Sequence, residues 1–395
     1  MVVRAGREFL AIPGPTTIPD EVLRAMHRPA TDIYSPAMVG MTMKLQADIS
    51  RLFGSSGQTY IYIANGHGAW EAAISNVLSR GDKVLVLESG LFAAGWGRAA
   101  AAMGCEVETL PGSWQRAVRP AEVEARLRAD TGHTIKAIMV VQVDTAAGVM
   151  NDIAAIGAAI RASGHPALFM VDAVASLGCM KFDMDGWRVD LAMSAAQKGL
   201  MGPPGLGFVV ANDRAKAAHQ TADLKTPYWE WTARDGDQHY QKYAGTPPIH
   251  LLWALREALD MIYAEGLDAV FKRHRLLAGA VHAAATVWAE GNGIGFNVPN
   301  PAERSLTVTN LLLSDGFSAS DLLDYCDRNC GVVLGVGIGA LGGKAFRIAH
   351  MGHVNAPMVL GTLSVIEMAL DAMQIPHGTG GVQAAVKYLA ANVPA

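Results

Sequence analysis

The sequence predicts an α/β protein: a large, doubly wound, mainly parallel sheet domain followed by a smaller C-terminal α+β domain. Three observations predict it. Apolar, strand-like runs alternate with helical periodicity through the first half of the chain, the pattern of repeated βαβ units. The runs at 135–141 and 167–171 are almost wholly apolar, as strands covered by helices on both faces must be. At 395 residues the chain exceeds one ordinary core, so a second domain is expected.

Taken in order, residues 1–20 read as an extended arm, with a helix starting near Ile18 to Asp20. A large domain over 21–275 carries strands at 59–63, 83–87, 135–141, 167–171, 189–193 and 207–210. Helices fall at 69–78, 92–103, 121–129 and 153–162. Residues 225–248 break the pattern with Trp, Tyr, Gly and Pro, and loops of that length usually have a function. A long helical region from 249 to 290 is punctuated by Gly266. The small domain, 276–395, then shows strands at 306–313, 332–334 and 345–349, a helix at 319–328 and two closing helices.

Composition narrows the function. Hydrophobic content of 51% with 17% charged residues describes a packed globular chain. A net charge of −4 carries no footprint for nucleic acid or an anionic membrane. No apolar run approaches the ~20 residues of a membrane span, and the first residues lack a signal peptide pattern. Four scattered cysteines suit a reducing compartment, so a cytoplasmic location is expected. Cys326 and Cys330 share a helix face without His or Cys neighbours, so no metal site is expected.

The chemistry concentrates at strand ends. Asp172 closes the run at 167–171, and Lys198 lies just past the run at 189–193. Ligands of open α/β sheets bind beyond the carboxyl ends of the strands. An acid and an amine placed there together are the pair that pyridoxal 5'-phosphate needs. The amine forms a Schiff base with the aldehyde, and the carboxylate keeps a proton on the pyridine nitrogen. Either residue alone would more often be a solvated surface group. His67 and Thr145 follow two further strands. The turn Asn65-Gly66-His67-Gly68 opens a helix, whose free N–H groups favour a phosphate. Glycines in turns are common, so that signal is weak by itself. Gly337-Ile338-Gly339-Ala340-Leu341-Gly342 fits a dinucleotide pattern but runs into a strand, and reads as a flexible loop. Arg347, inside that strand, requires a partner, either a substrate carboxylate or a buried acid.

On these residues the chain resembles the class V aminotransferases of the alanine/serine–glyoxylate subgroup, which are fold type I pyridoxal-phosphate enzymes. The resemblance runs from Pro13-Gly14-Pro15 to His350-Met351-Gly352. Its strongest elements are VDAVASLG with Asp172, SAAQKGLMGPPG with Lys198, and GKAFRIAHMG with Arg347. It implies that Lys198 is the Schiff-base lysine and Asp172 the pyridinium partner. Gly66, His67 and Gln197 would hold the phosphate, Phe92 would stack on the ring, and Thr145 would bond its 3-hydroxyl oxygen. Arg347 would bind the substrate carboxylate. Tyr243 and Thr246 would reach the phosphate of a neighbouring subunit, which implies a homodimer with shared sites. The implied reaction passes an amino group from serine or alanine to glyoxylate or another small 2-oxo acid.

Two segments depart from the pattern. Ile33-Tyr34 stands where many relatives carry His-Arg, and Gln142-Val143-Asp144 where they often read His-x-Glu; both are expected near the active site. Aspartate–, ureidoglycine–glyoxylate and pyridoxamine–pyruvate aminotransferases remain alternatives, although the last carries a second arginine at the position of Ile338. A lyase or desulfurase on the same fold would need a mobile cysteine, for which Cys330 is the sole candidate.

Overall fold

The computed structural model describes residues 3–394. Its centre is a seven-stranded sheet in the order Gln58–Ile63, Leu206–Ala211, Leu191–Ala195, Leu168–Asp172, Ile135–Val141, Lys83–Leu87, Glu106–Leu110. All neighbours pair parallel except Leu206–Ala211, which runs antiparallel to both of its own. Side chains of a strand alternate between faces. Ile138, Val140, Phe169 and Val171 therefore pack on one side with Leu45, Ile49, Leu255 and Leu259. Ala137, Met139, Leu168 and Met170 pack on the other with Ala69, Ala73, Trp96 and Ala100. This double covering is why the runs look continuously apolar in sequence.

Every expected strand and helix of the large domain is present, with ends moved by at most three residues. Short elements such as Met184–Trp187 aside, three were not foreseen. Glu106–Leu110 is an edge strand whose glutamates hide it from an apolar-run search. Asp213–Thr221 is a polar helix capped by Asn212. Pro36–Leu52 is a helix whose stripe of Met38, Met41, Leu45, Ile49 and Leu52 was legible at helical spacing. The long helical region is two helices, Ile249–Glu265 and Leu267–Ala289, parted by Gly266 at φ 88°.

The segment 225–248 is packed rather than loose. It contains the short helix Trp231–Arg234 and a 3-10 turn, His239–Tyr243. Trp231 stacks on Tyr60 at 4.9 Å and donates to the Tyr62 hydroxyl at 2.9 Å. The buried Arg234 guanidinium donates to the carbonyls of Ile61, Lys242 and Tyr228.

The smaller sheet runs Phe9–Ala11, Val332–Val336, Ala345–Ala349, Val308–Leu313, Ile294–Phe296. The N-terminal arm is thus partly a strand, parallel to Val332–Val336. Three residues are too few to show periodicity, so the sequence read only an extended segment. After this strand the chain crosses back to the large domain and begins the helix Asp20–Met26.

Gly157, inside the helix Ile153–Ser163, lies so close to the sheet side that a Cβ would collide with the Trp187 carbonyl. Gly157→Ala improves helix propensity by ~1 kcal/mol, yet it should lower stability by about 1–3 kcal/mol through overpacking. Thermal unfolding checks the sign, and a stabilised variant would contradict this packing.

Candidate active site

Strand ends of the large sheet and the N-terminal arm at Gly14 and Pro15 surround a cavity of about 310 Å³. Asp172, the last residue of its strand, is buried at the cavity floor. Its Oδ1 accepts the Val174 N–H at 2.7 Å and its Oδ2 accepts the Trp70 indole N–H at 2.7 Å. Burial pushes the carboxyl up to about 6, and these two donors pull against that rise. No salt bridge reaches Asp172 among the described residues.

Lys198 follows the strand Leu191–Ala195 on a loop that the N-terminal arm straps down. Thr16 donates its hydroxyl to the Lys198 carbonyl at 2.9 Å and its N–H to the Gln197 carbonyl at 3.1 Å. The Lys198 ammonium donates to the Pro13 carbonyl. A Cβ at Gly14 would sit 2.6 Å from the Lys198 Cε, so the arm can pass here only as glycine. Burial pushes the amine down to about 8, helped by the nearby Arg347 charge and opposed by Asp172.

At one end the helix Gly66–Val77 points its N-terminus at the cavity. It starts three residues earlier than expected because Asn65 caps it. The Asn65 Oδ1 accepts the N–H groups of His67 at 3.1 Å and Gly68 at 3.3 Å. His67 and Gln197 line the same end, and the buried Gln197 Oε1 has no hydrogen-bond partner. Phe92, in the first turn of the helix Leu91–Met103, faces the cavity with its ring 6.4 Å from those of His67 and Trp70.

Thr145 lines the other side. Behind it, the buried Arg347 donates from Nε to the Val336 carbonyl at 2.7 Å and from Nη1 to the Thr145 carbonyl at 3.2 Å. Arg347 forms no salt bridge among the described residues, so the reading of a buried Arg–Asp pair does not hold. Burial pushes its guanidinium down to about 10.

Eight of the ten expected site residues therefore surround one cavity: Gly66, His67, Phe92, Thr145, Asp172, Gln197 and Lys198 line it, and Arg347 abuts Thr145. Tyr243 and Thr246 do not reach it within one chain. The Tyr243 hydroxyl is buried against Thr42 at 2.8 Å, and Thr246 is exposed. The two departing segments separate. Tyr34 is 55% exposed and does not line the cavity. In the other segment the Gln142 side chain turns away to accept the Ser176 hydroxyl at 2.5 Å, while Val143 and Thr145 face the cavity. The glycine motif at 337–342 forms a short 3-10 turn rather than a nucleotide loop. Cys330 does not line the cavity.

Sequence reading gave no individual role to Trp70, Asn65, Asp144 or Gly14, although it named the turn at Asn65, the segment 142–144 and Pro13-Gly14-Pro15. Trp70 was discoverable: it lies one helical turn after Gly66, on the face that turns back toward the strand ends.

The family model described as Aminotransferase class-V matches residues 9–342. The chain is 38% identical to the serine–glyoxylate aminotransferase of Methylorubrum extorquens, covering 98% of each. It is 35% identical to the L-aspartate–glyoxylate aminotransferase of Paracoccus denitrificans, covering 95% of each. The solved pyridoxamine–pyruvate aminotransferase of Mesorhizobium loti superposes with a TM-score of 0.89 at 28% identity, over 100% of both chains.

The lowered Lys198 amine has a direct readout. Reductive alkylation by a small aldehyde with cyanoborohydride should modify Lys198 at a rate that rises with pH about a midpoint near 8. Exposed lysines should follow the ordinary midpoint of about 10.4. Peptide mass spectrometry separates the two, and a Lys198 profile matching the surface lysines would refute its burial.

Proposed function

The chain belongs to the class-V aminotransferase family, and on that footing we propose a pyridoxal 5'-phosphate-dependent transaminase that moves the amino group of serine or alanine to glyoxylate. One observation carries the reading: a single cavity joins an enclosed lysine amine to a buried carboxylate that has no cation of its own.

The residues present fit that cofactor. Asp172, costly as a bare buried anion, suits a protonated pyridine nitrogen. His67, the helix N-terminus at Gly66 and the Gln197 side chain through its amide Nε2–H donors suit the phosphate end, Phe92 a ring face, and Thr145 the ring hydroxyl. When bound, the cofactor supplies an aldehyde and an electron-accepting ring, which no side chain offers. Lys198 would hold the aldehyde through Nζ, and its free Nζ would take the proton from the donor's α-carbon as a base and deliver it, as an acid, to the former aldehyde carbon. An amine lowered to about 8 is suited to both roles near neutral pH. Arg347 grips the substrate carboxylate, its position fixed by the Val336 and Thr145 carbonyls. Pro13, Gly14 and Pro15 close over the amine and limit water there.

Substrate size and charge follow from the same wall. Among the described residues, Lys198 and His67 are the basic side chains lining the cavity, and the Arg347 guanidinium abuts it through Thr145. A single carboxylate is provided for, whereas a second one finds no fixed cation. This favours serine or alanine over aspartate as donor.

Tyr243 and Thr246 act on the phosphate of a second subunit in this proposal. Tyr34, Met43 and Tyr240 are exposed around that segment, and a homodimer would cover them. No helix among the described residues is long and apolar enough to cross a membrane. All four cysteines are free, which supports the cytoplasm as location.

The purified protein should show a visible absorption band that borohydride removes, and Lys198→Ala should lack it. Half-reaction spectra with serine, alanine and aspartate should rank aspartate last, by about tenfold or more, the equivalent of ~1.4 kcal/mol. Arg347→Ala should lose roughly thirtyfold or more in kcat/KM for carboxylate donors. A colourless protein that takes up no pyridoxal phosphate would falsify the cofactor reading. Aspartate reacting fastest would overturn the donor reading alone.

A further inference from the structure

Helices in this chain are mostly capped by a residue adjoining their own first turn, as Asn65, Asp152, Asn212, Ser318 and Asn355 show. The helix Leu91–Met103 is different. Its N-cap is Gly90, which has no side chain to offer, and the cap arrives from a residue more than fifty positions away. The Asp144 Oδ2 accepts the N–H of Phe92 at 2.8 Å and of Ala93 at 3.1 Å. Its Oδ1 accepts the N–H of Ala146 at 3.0 Å. Asp144 is fully buried, and a Cβ on Gly90 would collide with its carboxyl group. The glycine therefore leaves room for this one contact.

The turn that begins at Asp144 is held just as tightly from the small domain. The Thr145 carbonyl accepts from Arg347 at 3.2 Å, the Ala146 carbonyl from Asn310 at 2.6 Å, and the Ala147 carbonyl from Asn297 at 2.7 Å. The Gly148 carbonyl accepts the Ser305 N–H at 3.0 Å. Four successive carbonyls are thus spoken for by small-domain groups. One side chain, Asp144, connects that seam to the helix that presents Phe92.

We infer that Asp144 is a positioning residue for the transamination proposed above: its carboxylate locks the Phe92 helix to the turn that bears Thr145 and steadies Arg347. The inference rests on that proposed reaction. Phe92 faces where the cofactor ring would lie, Thr145 where its hydroxyl would lie, and Arg347 where the donor carboxylate would lie. Their mutual spacing passes through Asp144. Its negative charge also opposes the lowering that burial imposes on the Arg347 guanidinium. A cap that served stability alone could have been placed at Gly90, as it is in the helices above.

Asp144→Asn keeps the shape but turns one acceptor into a donor facing an N–H, so at least one of the three bonds fails. In the cofactor-free protein, amide exchange at Phe92 and Ala93 should quicken by about tenfold or more. In the holoenzyme, the visible circular dichroism of the bound cofactor should weaken, and the KM for the amino donor should rise about tenfold, more than kcat falls. Gly90→Ala, which displaces the carboxyl while leaving Asp144 in place, should give the same signature and carries the test if Asp144→Asn does not fold. Asp152→Asn, which removes an ordinary cap far from the cavity, should lower Tm with dichroism and KM unchanged. Variants at 144 and 90 that lose only Tm, with wild-type dichroism and KM, overturn the inference and leave the transaminase reading standing. Wild-type protein that takes up no pyridoxal phosphate removes both.

Discussion

The structure depends on a carboxylate kept out of water without a cation. Asp172 ends the middle strand of a sheet covered on both faces, so it is buried, with only the small cavity open in front of it. An isolated buried anion costs several kcal/mol, and two N–H donors recover part of that. The remainder leaves the group pushed up to about 6, close below neutral pH, so the anion persists there at a cost. A positively charged ring nitrogen would settle it as an anion. The helices that bury the strand, the tryptophan that reaches its end and the neighbouring strand that delivers the lysine all follow from that demand.

The lysine is governed by a different constraint. A sheet alone would leave Lys198 on an open loop, free to extend into solvent. The arm prevents this: Phe9–Ala11 is fixed in the small sheet, and Thr16 is tied to the lysine's own loop. The chain between them must pass directly over the amine, where Gly14 leaves just enough space. Chain connectivity, with the arm pinned at both ends, thus encloses the amine, and burial then lowers it to about 8.

Much of this was legible in the sequence. Buried parallel strands announce themselves as apolar runs, so 135–141 appeared with its true limits and 167–171 was off by one residue. Asp172 and Lys198 stood out because a charge beside such a run has few structural excuses. Glu106–Leu110 stayed hidden because an edge strand can afford glutamates. The roles of Asn65, Trp70 and Asp144 were hidden for another reason. Each acts through hydrogen bonds to residues that only the fold brings near; Trp70 meets Asp172 across more than a hundred positions. The resemblance named Arg347 and Thr145 but could not show that one donates to the other's carbonyl. Tyr243 and Thr246 need a second chain to be judged, and a single chain shows only what they do at home.

Arg347 completes the physical picture, because it mirrors Asp172 with opposite sign. It is buried, bonded to two carbonyls and lacks an anionic partner among the described residues. The protein therefore holds two buried charged groups without a salt-bridge partner among the described residues, Asp172 lining the small cavity and Arg347 beside it, with Lys198 and Asp144 acting on them only through space. Neither arrangement is what stability alone would select, since apolar residues of like volume would pack more cheaply. Such violations of local rules concentrate at functional sites. Each charge is discharged by a different ligand group, the anion by a protonated ring and the cation by a carboxylate. Cofactor and substrate thus each relieve a cost that the fold maintains. Binding energy is then drawn from the protein's own strain as well as from new contacts, and a ligand lacking either group leaves one of those costs in place.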